Sequence, residues 1–269
     1  MKPLLLSLAL AALGSSAIAQ DADDWDVQID PATKSTIAFV TLTSGLSIAV
    51  RCKDGSLDAV MAGLPEAPRG RTIRTLRIGF GDDEPTDSRW NVTTDRHVAV
   101  ADYPSSFARS LREGGDLKVT IPGGAGEGRD LRHELKIPPS SAAIEGVLTA
   151  CGKPLEDPRD ALLPEIGENG LPEGLTWARP PRPRFPSRSR YVAGYAVITC
   201  VAGPDGRLSQ CQTEAQHPVD SDFAEAALRS TDDARLTNPN ETPGQIIPRL
   251  VGFRASFYLD GYQPRRGAE

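Results

Sequence analysis

The sequence predicts an α+β protein: an N-terminal β-rich, disulfide-stapled domain with short helices, followed by a small three-stranded antiparallel sheet with one helix. Three observations predict it. Short apolar stretches rich in β-branched residues, broken by Gly, Asp and Pro clusters, recur from Asp24 to Cys151, the pattern of half-buried strands. The last third reads strand, turn, strand, helix, strand. Four cysteines fall two in each part.

The chain opens with Lys2, the apolar run LLLSLALAAL and small residues ending in Ala17-Ile18-Ala19, the make-up of a cleavable signal peptide. A Gly-Ser-Ser break follows Leu13, so the run falls short of the roughly 18–20 apolar residues a membrane span needs. No Cys stands at its end to carry a lipid. A periplasmic chain starting at Gln20, with no membrane span after cleavage, is therefore expected. The expected divisions are 1–19 signal, 20–153 β-rich domain, 154–182 proline-rich linker, 183–262 small C-terminal domain and 263–269 tail.

Thirty Lys and Arg, one of them Lys2 in the leader, stand against 36 Asp and Glu. This mildly acidic balance excludes general nucleic-acid binding. An even number of cysteines in an exported chain favours disulfides. Cys52, Cys151, Cys200 and Cys211 allow three pairings, and none lies in a metal-ligand spacing; their division along the chain favours Cys52–Cys151 and Cys200–Cys211.

In order, strands are expected at STIAFVTL, LSIAVRC, LDAVMAGL, RTLRIGF, HVAVA, LKVTI and DLRHELKI. Asp54-Gly55 joins two of them as a hairpin turn, because both residues tolerate positive φ. One helix is expected at SSFARSLREGG, capped by Ser105 or Ser106 with Phe107 and Leu111 on one face. A second at SSAAIEGVLTAC turns Ile144, Val147 and Leu148 inward and delivers Cys151 toward the strand of Cys52.

Prolines 154, 158, 164, 172, 180, 181 and 183 mark the linker. Its end, RPPRPRFPSRSR, holds Arg179, Arg182, Arg184, Arg188 and Arg190 on an extended rod. Such a run is either a solvated spacer or a contact for an anionic partner.

Tyr195 to Val201 and Leu208 to Thr213 then form a hairpin around Gly203-Pro204-Asp205-Gly206. A two-residue loop places Cys200 opposite Cys211. A three-residue loop does so only with a bulge near Ser209 or Gln210, which the spacing from Leu208 to Cys211 suggests. Asp220 or Ser221 caps a helix turning Phe223, Ala226 and Ala227 to the sheet. Ile246 to Leu259 supplies the third strand, with Pro248 at its beginning or edge.

Residues 24–152, with Cys52 in an early strand, Trp90 and the following TTDR, the SSFARSL helix, the LKVTI strand and the helix ending in Cys151, resemble the VasI-type domain first associated with type VI secretion. Residues 183–260 resemble the C-terminal domain of TonB-family energy transducers. That likeness rests on Phe185-Pro186, Gly194, the PDGRL turn, the AEAAL helix, Asn238-Pro239, Gly244 and the run Phe253 to Leu259. The TonB resemblance implies docking of an extended segment of an envelope protein, such as an outer-membrane transporter, by strand addition. The candidate edge is Arg249, Leu250, Gly252, Arg254, Ser256 and Tyr258, with Phe185, Pro186, Arg188 and Arg190 of the approach segment beside it. Of Arg254 and Ser256, one backbone donor is expected to point outward and one inward. A cleaved leader leaves no membrane helix for a motor to pull, so a periplasmic adaptor is the expectation. The alternative is a secretion accessory acting through the N-terminal domain.

No cofactor, metal or catalytic residue is expected. The sequence lacks G-x-S-x-G, HExxH and S-x-x-K patterns and any Gly-rich phosphate loop. His97 and His133 are expected on surface strands and His217 in a loop, so no base is assembled with a nucleophile and a hydrolase is disfavoured. Asp82-Asp83-Glu84 lacks the alternating ligands of a Ca²⁺ loop and reads as a solvated turn.

Overall fold

A computed structural model describes residues 25–167, 169–240 and 246–259. The expected signal peptide, the 263–269 tail and Gly244 lie outside the described residues.

Nine strands form one antiparallel sheet. They are β1 (Asp26–Asp30), β2 (Ser35–Thr41), β3 (Ser47–Lys53), β4 (Ser56–Ala62), β5 (Ile73–Phe80), β6 (Thr86–Val92), β7 (Ala99–Ala101), β8 (Gly115–Ile121) and β9 (Leu131–Ile137). Their spatial order is β1-β2-β3-β4-β7-β6-β5-β8-β9. Each of β3 and β4 alternates buried with half-buried residues, as a sheet with one face on a core requires. Asp54 and Gly55 both have positive φ, at 49° and 78°, and they join the Lys53–Ser56 pair as a tight hairpin.

Helices α1 (Pro104–Glu113) and α2 (Ser141–Ala150) cover the apolar face. Phe107, Leu111, Ile144, Val147 and Leu148 share one core with Trp90, Leu117 and Ile48. Trp90 meets Phe107 edge-on at 5.2 Å between ring centres. The first helix starts earlier than the expected Ser105 or Ser106 cap, with Tyr103 at the cap position and Pro104 in the first turn. Proline is suited there because its missing N–H has no helical partner to lose. Cys151 ends α2 and bonds Cys52 of β3.

The stretch expected to be an unstructured linker holds regular elements. A 3-10 helix runs over Pro158–Glu165, and β10 (Thr176–Arg179) pairs with β13 (Arg235–Thr237). Beyond it, β11 (Ala193–Ala202), β12 (Leu208–His217) and β14 (Arg249–Tyr258) form a sheet in the order β12-β11-β14, with α3 (Phe223–Arg229) on one face. Pro248 falls just before β14, where no ladder donor is lost. The core on the α3 side joins Ala196, Ile198, Cys200, Val251, Ala255 and Phe257 to Phe223 and Ala227, and takes in Leu171 and Leu175 from the supposed linker.

The hairpin settles on the bulged alternative. Gly203 N–H donates to Arg207 O at 2.8 Å, leaving Pro204, Asp205 and Gly206 as the loop. Val201 then faces Ser209 but Thr199 faces Gln212. The extra residue is taken up at Gln210, whose φ is 48°, and Cys200 bonds Cys211. The chain is thus α+β and β-rich, with two disulfides that fit an oxidising periplasmic or extracellular compartment. Among the described residues no helix is long and apolar enough to cross a membrane.

Candidate partner-binding edge

β14 lies at the outside of its sheet, and its register with β11 decides which backbone groups are free. Leu259 N–H donates to Val192 O at 2.9 Å. The bonded pairs of an antiparallel ladder alternate with non-bonded ones, so Phe257, Ala255, Phe253 and Val251 direct their donors to β11. Gly252, Arg254 and Ser256 direct theirs outward. Arg254 and Ser256 share this direction because they are two residues apart, which corrects the expectation that one of them points inward.

Part of the outward row is already taken. Gly252 N–H donates to Gly170 O at 2.7 Å. The approach is close enough that a Cβ on Gly170 would lie 2.1 Å from Gly252 O, so only glycine admits it. Arg249 reaches the same loop, donating to Glu173 O at 3.0 Å. Among the described residues, the outward backbone donors of Arg254 and of exposed Ser256 meet no backbone acceptor.

The face of this sheet opposite α3 is buried against the N-terminal domain and the 3-10 helix. Val197, Thr199 and Leu250 are almost fully buried there. Tyr103 packs so close to Gly252 that a Cβ at that position would lie 2.4 Å from the phenol oxygen. Arg254 Nη1 donates to Asp102 Oδ1 at 3.1 Å, and its guanidinium lies 3.5 Å from the centre of the Tyr195 ring. Asn91 Nδ2 donates to the same Asp102 oxygen at 2.7 Å, and Arg89 stands 3.6 Å from the other. Burial raises the Asp102 pKa, with Arg254 and Arg89 opposing. Burial likewise pushes the Tyr103 phenol well up, and Tyr195 to about 12.

A second polar group fastens the 3-10 helix from both sides. Arg109 of α1 grips Asp160 with two nitrogens at 2.5 and 2.7 Å, a bidentate geometry that holds orientation as well as charge. Arg159 holds Asp157 at 2.7 Å and lies 3.9 Å from Glu214, which accepts from Thr199 Oγ1 at 2.6 Å. Lys153 donates to Thr213 O at 3.0 Å, and burial lowers its pKa.

The approach segment does not lie along the outer edge. Phe185 packs on the α3 side, 5.7 Å from Phe223 and 6.5 Å from Phe257 between ring centres. Pro186 begins a turn whose carbonyl accepts from Ser189 N–H at 3.1 Å. Arg188 is exposed, and Arg190 pairs with Asp220 above the Tyr191 ring.

No protein-family profile and no curated protein matches the chain. Among solved structures the chain is similar to the TonB C-terminal domain of Pseudomonas aeruginosa, at 18% identity and a TM-score of 0.29 over 34% of this chain and 92% of that one. It is also similar to the invasion associated protein b of Bartonella henselae, at 11% identity and a TM-score of 0.36 over 48% of this chain and 94% of that one. At these scores the likeness to a TonB C-terminal fold is slight, and the geometry of the edge alone bears on role.

The histidines are dispersed. His97 sits in a turn rather than a strand, with Nδ1 2.8 Å from Leu64 O. His133 lies on β9, and His217 ends β12, stacked 5.9 Å from Tyr195. Among the described residues no group of three or more His, Cys, Asp or Glu is placed to hold a metal.

Proposed function

We propose that this chain is a non-enzymatic periplasmic binding protein that docks an extended segment of an envelope partner beside β14. The observation that carries the proposal is the outward N–H groups of Arg254 and Ser256 on an edge strand, next to a position where Gly170 already makes the kind of contact a guest strand would make. A peptide added there gains main-chain hydrogen bonds, while exposed side chains along the edge select among sequences. Outer-membrane transporters are one class of partner with such segments. The motif likeness of residues 183–260 to TonB-family domains agrees with this role.

Ser256 gives the cleaner test, because Arg254 also ties the sheet to Asp102. A photo-crosslinking residue at Tyr258 of the exported protein should capture an envelope protein, and adding Ser256→Pro should lower capture at an unchanged melting temperature. Ser256→Ala should not, since it keeps the donor. Equal capture by the proline variant would remove strand addition at this edge.

A second reading places a partner on the N-terminal domain. It is favoured by β1, an edge strand whose Val27 and Ile29 are 50% and 67% exposed, an arrangement that pairs readily with another chain. Crosslinking from Val27 with none from Tyr258 would favour it.

A further inference from the structure

The proline-held arginines do not project singly into solvent. Arg179, Arg182 and Arg184 line a groove of about 600 Å3 together with Arg229 from the end of α3. All four side chains are exposed. Arg229 pairs with Glu225, whereas Arg179, Arg182 and Arg184 make no ion pair among the described residues. No acidic residue occurs between Glu173 and Asp205, and within the groove one carboxylate, Asp233, offsets the charge. Like charges gathered around one concavity repel one another, a cost that a bound anion removes. The protein as a whole carries a net charge of −6, so the groove is a local reversal of its field.

We propose that this groove binds a compact ligand bearing clustered phosphate groups. Guanidinium is planar, permanently charged and matched to phosphate in a two-bond geometry. The volume is that of a small-molecule site. Pro180 and Pro183 form the wall between the arginines and have no N–H to offer, so an extended acidic peptide would find fewer main-chain donors here than along an edge strand. That separates this groove from the β14 edge, which recognises backbone. Because prolines restrict the rod, Arg182 and Arg184 are held over the groove with less entropy lost on binding than on a flexible loop.

The test is calorimetric titration of the mature chain with inorganic tripolyphosphate at low ionic strength. Binding should weaken as salt is added, and R182A/R184A should weaken it about tenfold or more, as expected for loss of charge-assisted contacts. R69A/R71A, at exposed sites elsewhere, should change it less than about twofold if the charge is read locally. Circular dichroism of both variants should match the parent. Sedimentation with phosphatidic acid vesicles separates the sources: loss in R182A/R184A marks a lipid headgroup, and absence of sedimentation alongside tripolyphosphate binding marks free phosphates. Either agrees with the groove. Equal losses in the two double variants, no tripolyphosphate binding, or equally tight binding of an oligoglutamate peptide would overturn it.

Discussion

Arg254 of the C-terminal sheet and Asp102 of the N-terminal sheet stand 152 positions apart in the chain and 3.1 Å apart in space. Their side chains are 13% and 3% exposed, so the bond joins the two domains out of water. Removing one partner of a buried pair strands the other charge, which typically costs about 3–5 kcal/mol. Asp102→Ala should therefore lower stability by about 3 kcal/mol, near the low end because Arg254 keeps its contact with Tyr195. Arg254→Met with Asp102→Asn should cost less than the sum of the single changes, a coupling that chemical denaturation of all four proteins measures.

The same carboxyl predicts a pH effect. Folding raises its pKa, chiefly by burial, from the ordinary 3.8. The stability it contributes is fully present below that ordinary value and lost as pH rises through the raised folded value. The stability of the parent minus that of Asp102→Asn should thus be greater near pH 4 than at pH 7. A difference that is flat or falls on acidification would contradict burial as the dominant influence.

Gly252→Ala should destabilise although its backbone is not in the left-handed region. The added carbon would meet the Tyr103 oxygen at 2.4 Å and the ring carbon bearing it at 3.3 Å, and overpacking of this kind costs about 1–3 kcal/mol. Tyr103→Phe in the same chain should restore most of the loss by removing the nearer atom. Thermal unfolding of the single and double variants decides it.

Loss of the two disulfides should be unequal. Cys52–Cys151 spans 99 positions and Cys200–Cys211 spans 11, and in the chain-entropy account the longer loop gains roughly 1–2 kcal/mol more. Serine replacement of the first pair should lower the denaturation midpoint further than replacement of the second.

Local chemistry was readable where neighbours in sequence are neighbours in space. The Asp54-Gly55 turn, the bulge by Gln210 and the helix ending in Cys151 all follow from spacing and residue type. β1 was missed, because Asp26-Val27-Gln28-Ile29-Asp30 alternates but its short run between acidic residues resembles a loop. β6, with Thr86, Asp87, Ser88 and Arg89, carries few strand-forming residues and owes its place to β5 and β7 on either side. The domain contact was hidden for a different reason. Asp102, Arg159, Glu214 and Arg254 are residue types that normally face water, and only the fold gathers them.

Under the proposed docking, the Gly170 contact sets a measuring stop on the outward edge of β14. A guest strand that enters alongside Ser256 and continues past Arg254 comes next to Gly252, where the 170 carbonyl already occupies its place. With a rise of about 3.4 Å per residue, each guest residue laid beyond Arg254 needs that loop to withdraw. Under the proposed docking, short extended motifs fit as they stand, whereas longer ones must displace the protein's own chain, and the loop would act as a length filter.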